Sequence, residues 1–211
     1  MPDDSTTWRL IHAERARLAD ALEALSPDDW AKPTLCAPWD VRTTAAHILL
    51  SAEQTPGAFF SHMAANGFRF NRMIARDTEK LAATAPAEMI ARLRARTTTS
   101  NKAPAPTVTM LGEAVVHGQD IFYALGRPGG VDPEASRACL DMYRTASFPV
   151  GGRKRIAGLK LVADDVDWTH GDGPEVRGPA IPLMLAMCGR KGTTGDLTGD
   201  GVATFAGRVG A

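Results

Sequence analysis

No stretch of this chain is apolar enough to suggest a bilayer crossing, because nowhere do about 18 apolar residues run uninterrupted. The N-terminus, Met1-Pro2-Asp3-Asp4, leads into a polar amphipathic segment and lacks the basic region and apolar stretch of a secretory leader. Excess charge of either sign is missing too. Lys+Arg and Asp+Glu both number 24, so neither nucleic acid nor an anionic membrane is expected as a partner. Cysteine is scarce. Cys36, Cys139 and Cys188 form an odd, widely spaced set without Cys-x-x-Cys, which argues against a disulfide framework and a thiolate zinc site. They read as small buried apolar side chains in a reducing compartment, and the protein is expected to be soluble and cytoplasmic. Gly171-Asp172-Gly173 and Gly199-Asp200-Gly201 lack a following Gly-Lys-Ser/Thr, so they read as turns and not phosphate loops.

What is present is mostly helical pattern. At 211 residues the chain can bury roughly 70% of its unfolded surface, enough for one domain with or without an appendage. Trp8, Ile11, Leu18, Leu22 and Leu25 recur at spacings of three, four or seven, marking an amphipathic helix from a Ser5 or Thr6 cap. Ser26-Pro27-Asp28-Asp29-Trp30 predicts a short helical turn. Asp40 then caps a second helix running to about His62, with Pro56 as a kink. Phe68 to Leu81 and Pro86 to Arg96 give two more. After the proline-rich loop Asn101 to Pro106, a helix is closed by Gly126 and Pro128, and Asp132-Pro133-Glu134 opens a last one to about Phe148. The expected fold is mainly α: an up-and-down four-helix bundle over residues 1–150.

The pattern changes beyond Gly151-Gly152. Leu159 to Ala163 alternates like a strand, Glu175-Val176-Arg177 can pair back on it, and Pro179 to Gly189 reads as a helix. Gly199-Asp200-Gly201 through Phe205 reads as a turn and a strand. Residues 151–211 are thus expected to form a small α+β tail, with Arg153-Lys154-Arg155 as a solvated linker.

The chemistry centres on Glu113 and His117. Residues four apart on a helix share one face, about 6 Å apart at Cβ, so a carboxylate and an imidazole there can converge on one ion. The same spacing also occurs as an ordinary surface hydrogen bond. The setting favours the ion, because Met110, Leu111, Ala114, Val115, Val116, Ile121 and Phe122 surround the pair and a buried ionisable pair is costly without compensation. His47, on another helix, is the candidate third ligand. Two imidazoles and one carboxylate leave a position open for water or substrate, as in catalytic metal sites. Asp120, three after His117, is either a partner of the ligand imidazole or a solvated acid. Arg190, after a helix and a glycine, is either a helix-dipole partner or an anchor for a substrate carboxylate. Trp30 and Trp39 read as packing residues, and His12, His62 and His170 as surface ones.

Thr34-Leu35-Cys36-Ala37-Pro38-Trp39-Asp40-Val41-Arg42 leading to Ala45-Ala46-His47, then Gly112-Glu113-Ala114-Val115-Val116-His117-Gly118-Gln119-Asp120, and the stretch from Asp167-Trp168 through Gly178-Pro179 to Gly189-Arg190, resemble the mycothiol-dependent maleylpyruvate isomerase family. That family belongs to the DinB/YfiT-like metalloenzymes. The chain departs from its pattern at Thr43-Thr44, where an acid and a leucine are usual, and in a shorter tail. The resemblance implies a DinB-like bundle with His47, Glu113 and His117 as ligands of one divalent metal ion, zinc first and nickel or iron as alternatives. It also implies a mycothiol-like low-molecular-weight thiol as co-substrate, for isomerisation of a small electrophile or S-transfer to it. A monomer or homodimer is expected. A non-catalytic or hydrolytic DinB-like metal-binding module is the alternative expectation.

Overall fold

The computed structural model describes residues 2–147 and 149–210. Its chain separates into two compact units, Asp3–Pro128 and the part from Gly129 onward together with Pro2.

The first unit is a helical bundle. Helix α1 (Asp4–Glu23) is capped by Asp3, whose side chain accepts from Thr6 N at 2.7 Å, slightly ahead of the Ser5 or Thr6 cap expected. A 3₁₀ turn at Asp29–Ala31 drops Trp30 into the core, and Asp40 caps α2 (Val41–Glu53) as its sequence predicts, accepting from Thr43 N at 2.7 Å. Pro56 does not kink α2. The helix stops at Glu53, Gln54 is extended, and Thr55 caps a separate helix α3 (Pro56–Ala65) with Pro56 in its first turn. A proline in the first turn loses no helical hydrogen bond, so starting a helix costs less than bending one. Helices α4 (Phe70–Ala82) and α5 (Pro86–Arg94) follow, then α6 (Thr107–Ala124).

Packing makes four layers from these pieces: α1 lies on α5 and α6, and α2 lies on α4, α5 and α6, so α4 and α5 share the place of one bundle helix. Arg42 of α2 bridges that break, with Nε donating to Ala82 O at 2.6 Å and Nη2 to Thr84 O at 2.9 Å, so a cation satisfies the last carbonyl of α4 and one of the turn after it. Arg92 of α5 clasps Glu53 of α2 through two bonds of 3.0 and 2.6 Å. Between the helices Leu18, Leu22, Val41, Ile48, Leu49, Met89, Leu93 and Ile121 form one buried cluster. Removing each large aliphatic side chain from water favours folding by roughly 1.5–3 kcal/mol.

The second unit begins earlier than residue 150. Helix α7 (Pro133–Tyr143), capped by Asp132, packs on α9 (Ala180–Met187) and so belongs with the C-terminal elements. It ends at Tyr143; Phe148, the expected end, lies outside the described residues. Arg153 and Lys154 are solvent-exposed as expected, but with Arg155 they form a short helix α8 (Gly152–Arg155) and not a linker: Arg155 Nη1 donates to Met187 O at 3.0 Å, tying this turn to the end of α9. The sheet has order β2-β1-β3, with β1 (Lys160–Ala163) central, β2 (Trp168–His170) antiparallel to it and β3 (Glu175–Gly178) parallel. Leu161 aligns with His170 on one side and Val176 on the other. The turn between β2 and β3 requires glycine, since Gly171 and Gly173 have φ of 80° and 128° and a Cβ at either would sit 2.3 Å from a backbone oxygen. Val202 to Phe205 are not a strand. They form α10 (Val202–Ala206), which buries Phe205, and the edge pairing falls instead at an isolated bridge between Arg177 and Thr198. Mainly helical architecture with a small α+β C-terminal part is thus what the chain adopts. Among the described residues no helix is long and apolar enough to cross a membrane.

Candidate metal centre

The loop before α2 is built to deliver side chains. Pro33 pairs with Asp40, Thr34 N donates to Trp39 O at 3.0 Å, and Trp39 N donates to Cys36 O at 2.9 Å. Thr34 Oγ1 adds a bond of 2.9 Å to Trp39 O, and the Ala37–Pro38 peptide is cis. Trp39 is therefore fixed at the mouth of α2. Its ring centre lies 4.8 Å from that of His47 and 5.9 Å from that of His117, so this tryptophan packs as expected, but against two imidazoles.

Two turns into α2, His47 points into the bundle. Its Nδ1 pairs with the hydroxyl of Thr78, a buried residue of α4, at 3.3 Å, which turns Nε2 toward α6. There Nε2 donates to Glu113 Oε2 at 2.8 Å. One turn along α6, His117 Nε2 lies 3.7 Å from the same carboxylate oxygen, and the two imidazoles meet edge to face with centres 4.7 Å apart. One donor atom from each of His47, Glu113 and His117 lies within 4.8 Å of the others. Around a tetrahedral zinc, bonds of about 2.0–2.2 Å set donors about 3.3–3.6 Å apart, so small side-chain adjustments bring this set onto one ion.

Orientation and charge support the same geometry. Asp120 is wholly buried and accepts from His117 Nδ1 at 3.0 Å, which leaves Nε2 as the nitrogen facing Glu113 and His47. Burial pulls the His117 pKa down, but hydrogen bonds to Asp120 and Cys36 and the charges of Glu113 and Asp120 outweigh it and raise it to about 10. Two carboxylates in a largely buried pocket thus demand a positive charge, which a proton on His117 or a dication can supply. The opening is at the acid: the Glu113 side chain is 30% exposed against 10% for His47 and 13% for His117.

The structure brings together His47, Glu113, His117 and Asp120. It places Arg190 in the other unit, where Nη1 donates to Cys188 O at 3.2 Å. Cys139 and Cys188 are buried, as expected of them, but Cys36 is only partly so and is a hydrogen-bond partner of His117. Cys36 and Thr78 are the site residues that the sequence reading missed. The signal for Cys36 was its place three residues before Trp39 in the stretch leading to His47; nothing in the sequence marks Thr78. Among the other histidines, His62 pairs with Asp77 at 2.7 Å, and His12 with the carbonyl of Thr99 at 3.0 Å.

Residues 11–108 match the family model described as the mycothiol maleylpyruvate isomerase N-terminal domain. Just under half of the chain is thus similar to this family's N-terminal domain. The match includes His47 and ends before Glu113. Two solved structures share the fold over 94% of this chain and 93% of theirs, each at 14% identity. They are a mutant of the mycothiol-dependent maleylpyruvate isomerase in which a histidine is replaced by alanine, at a TM-score of 0.64, and that isomerase itself, at 0.55. No curated protein matches.

Proposed function

We propose that this protein is a divalent-metal-dependent enzyme that adds a low-molecular-weight thiol of the mycothiol kind to a small electrophile. The observation that carries the reading is the convergence of His47, Glu113 and His117 on one point of a bundle whose N-terminal family is named for mycothiol and maleylpyruvate.

The three residues hold the ion, zinc first among the candidates. When bound, a dication lowers the pKa of a thiol that reaches it, supplying a thiolate nucleophile at neutral pH. The chain's own groups prepare for that. Asp120 accepts from His117 Nδ1 and so fixes its tautomer, while Thr78 pairs with His47 Nδ1 and orients that ring, so both imidazoles turn Nε2 toward the ion. Trp39 packs at a tilt against both rings and limits their movement on that side. Glu113 has one carboxylate oxygen within reach of both imidazoles on the exposed side of the site, where thiol and substrate enter. With a maleylpyruvate-like substrate, thiol addition to the double bond, rotation about the resulting single bond and elimination of the thiol give cis/trans isomerisation. With an epoxide, thiolate attack on carbon opens the C–O bond and the oxygen takes up the proton, and with an alkyl halide it expels the halide ion; both leave the carbon bonded to sulfur, a net transfer.

Purified protein is expected to carry close to one zinc or similar dication per chain by elemental analysis. Glu113→Gln keeps the size and loses the charge, so metal affinity falls, and Glu113→Ala loses metal more completely. For the thiol, cobalt-substituted Cys36→Ser protein removes the one cysteine beside the site. Adding mycothiol then produces a sulfur-to-cobalt charge-transfer band, because thiolate is a soft donor and imidazole and carboxylate are not. A fully metallated sample whose spectrum ignores mycothiol, bacillithiol, glutathione and cysteine alike removes the thiol chemistry and leaves a metal-binding module.

A further inference from the structure

A second set of donors shares His117 with the first. Cys36 Sγ, a ring nitrogen of His117 and a carboxylate oxygen of Asp120 lie within 4.8 Å of one another. The two acids stand at different edges of the imidazole: Asp120 meets Nδ1 at 3.0 Å, and Glu113 lies 3.7 Å from Nε2. The two acids therefore address different ring nitrogens, and Glu113 is not among the donors grouped with Cys36. Cys36 enters from the loop ahead of α2, whose shape is held by the Thr34 to Trp39 bonds and not by the sulfur. Asp120 is wholly buried and Cys36 partly exposed, so the inner end of this set is fixed and its outer end is reachable from solvent.

We propose that Cys36, His117 and Asp120 form a second cation site, selective for soft and borderline dications. A thiolate, an imidazole and a carboxylate are a donor set that zinc and softer ions favour over harder ones, whereas the His47, Glu113 and His117 set has no sulfur and discriminates less. The buried aspartate supplies charge where the cation loses water. Filling this site replaces the proton on His117 Nδ1 and the proton of the Cys36 thiol, so His117 exchanges its bond to Asp120 for a shared ion. Both sites fill together only when the imidazole bridges two ions. Otherwise one ion excludes the other, and an excess of a soft cation takes His117 from the first set. The site stands or falls independently of the thiol chemistry proposed above.

The test is a cadmium titration of the full chain, stripped of metal by chelator, following sulfur-to-cadmium charge-transfer absorption. Wild type is expected to show the band, saturating at one sulfur-bound ion per chain. His47→Ala, which dismantles only the first set, keeps it. Cys36→Ser and Cys36→Ala lose it while retaining helical circular dichroism, and Asp120→Asn weakens the apparent affinity at least about tenfold. Absence of the band in wild type overturns the proposal. So does a band that survives in both Cys36 variants, since the sulfur then belongs to Cys139 or Cys188. A band lost in folded His47→Ala as completely as in Cys36→Ser also overturns it, because Cys36 is then a fourth ligand of the first set.

Discussion

Helices α6 and α9 are both wrapped by protein, yet they solve burial in opposite ways. Every residue of α9, from Ala180 to Met187, is apolar and buried, so the helix offers nothing for water or chemistry to act on. Helix α6 buries twelve residues, and among them are Gln119 and Asp120, with Glu113 and His117 beside them only partly covered. A buried carboxylate is costly unless hydrogen-bonded and charge-compensated. Each polar group of α6 at the site accordingly has its counterpart: Asp120 has His117, and Glu113 has His47. The side chains of α9 thus stabilise their unit by buried area, its polar bonds being confined to backbone groups at the two ends, whereas α6 accepts costlier burial in order to fix donors in space.

That contrast can be broken, the largest effect first. His117→Ala or His47→Ala should lower metal affinity by roughly a thousandfold or more, about 4 kcal/mol, because two donors cannot hold the ion against water and buffer. Elemental analysis of His47→Ala at the wild-type metal content would take His47 out of the site. In α9, Leu185→Ala leaves a cavity in a fully buried position and should cost about 3 kcal/mol of stability by denaturant unfolding, with metal content unchanged. Metal loss in that variant would mean that the two helices are not separable in function. Asp120→Asn keeps the shape but removes the charge that orients His117. It should weaken metal binding by about 10–100-fold and change the folded content little, which competition with a chromophoric chelator measures. An unchanged affinity would reduce Asp120 to a structural acid. The smallest effect belongs to Thr78→Val, which removes one neutral hydrogen bond to His47 and should lower affinity by about fivefold, near 1 kcal/mol.

Much of the bundle is legible in the chain because its signals are local. Asp40 caps α2 through its own side chain, and outside the bundle Pro133 opens α7 in the same way, since such interactions act within one turn. Glu113 and His117 share a face for the same reason, whatever the rest of the protein does. Local signals fail where two local solutions are close in energy. Pro56 fits both a kink and a helix start, and Val202-Ala203-Thr204-Phe205 is too short for its period to separate strand from helix; the burial of Phe205 decides it.

Local pattern in the chain sets the helical character of the first 124 residues, the apolar nature of α9 and the shared face of Glu113 and His117. Only the tertiary structure decided that α7 belongs with α9, and that β3 runs parallel to β1 with Trp168 to His170 on the far side. Only it decided, too, that His47 reaches Glu113, that Thr78 backs His47, and that Cys36 lies beside His117 and Asp120. The reason is range. Caps and helix faces are set by neighbours a few residues away, whereas His47 and Glu113 are separated by 66 positions, and only the packing of α2 on α6 brings them together.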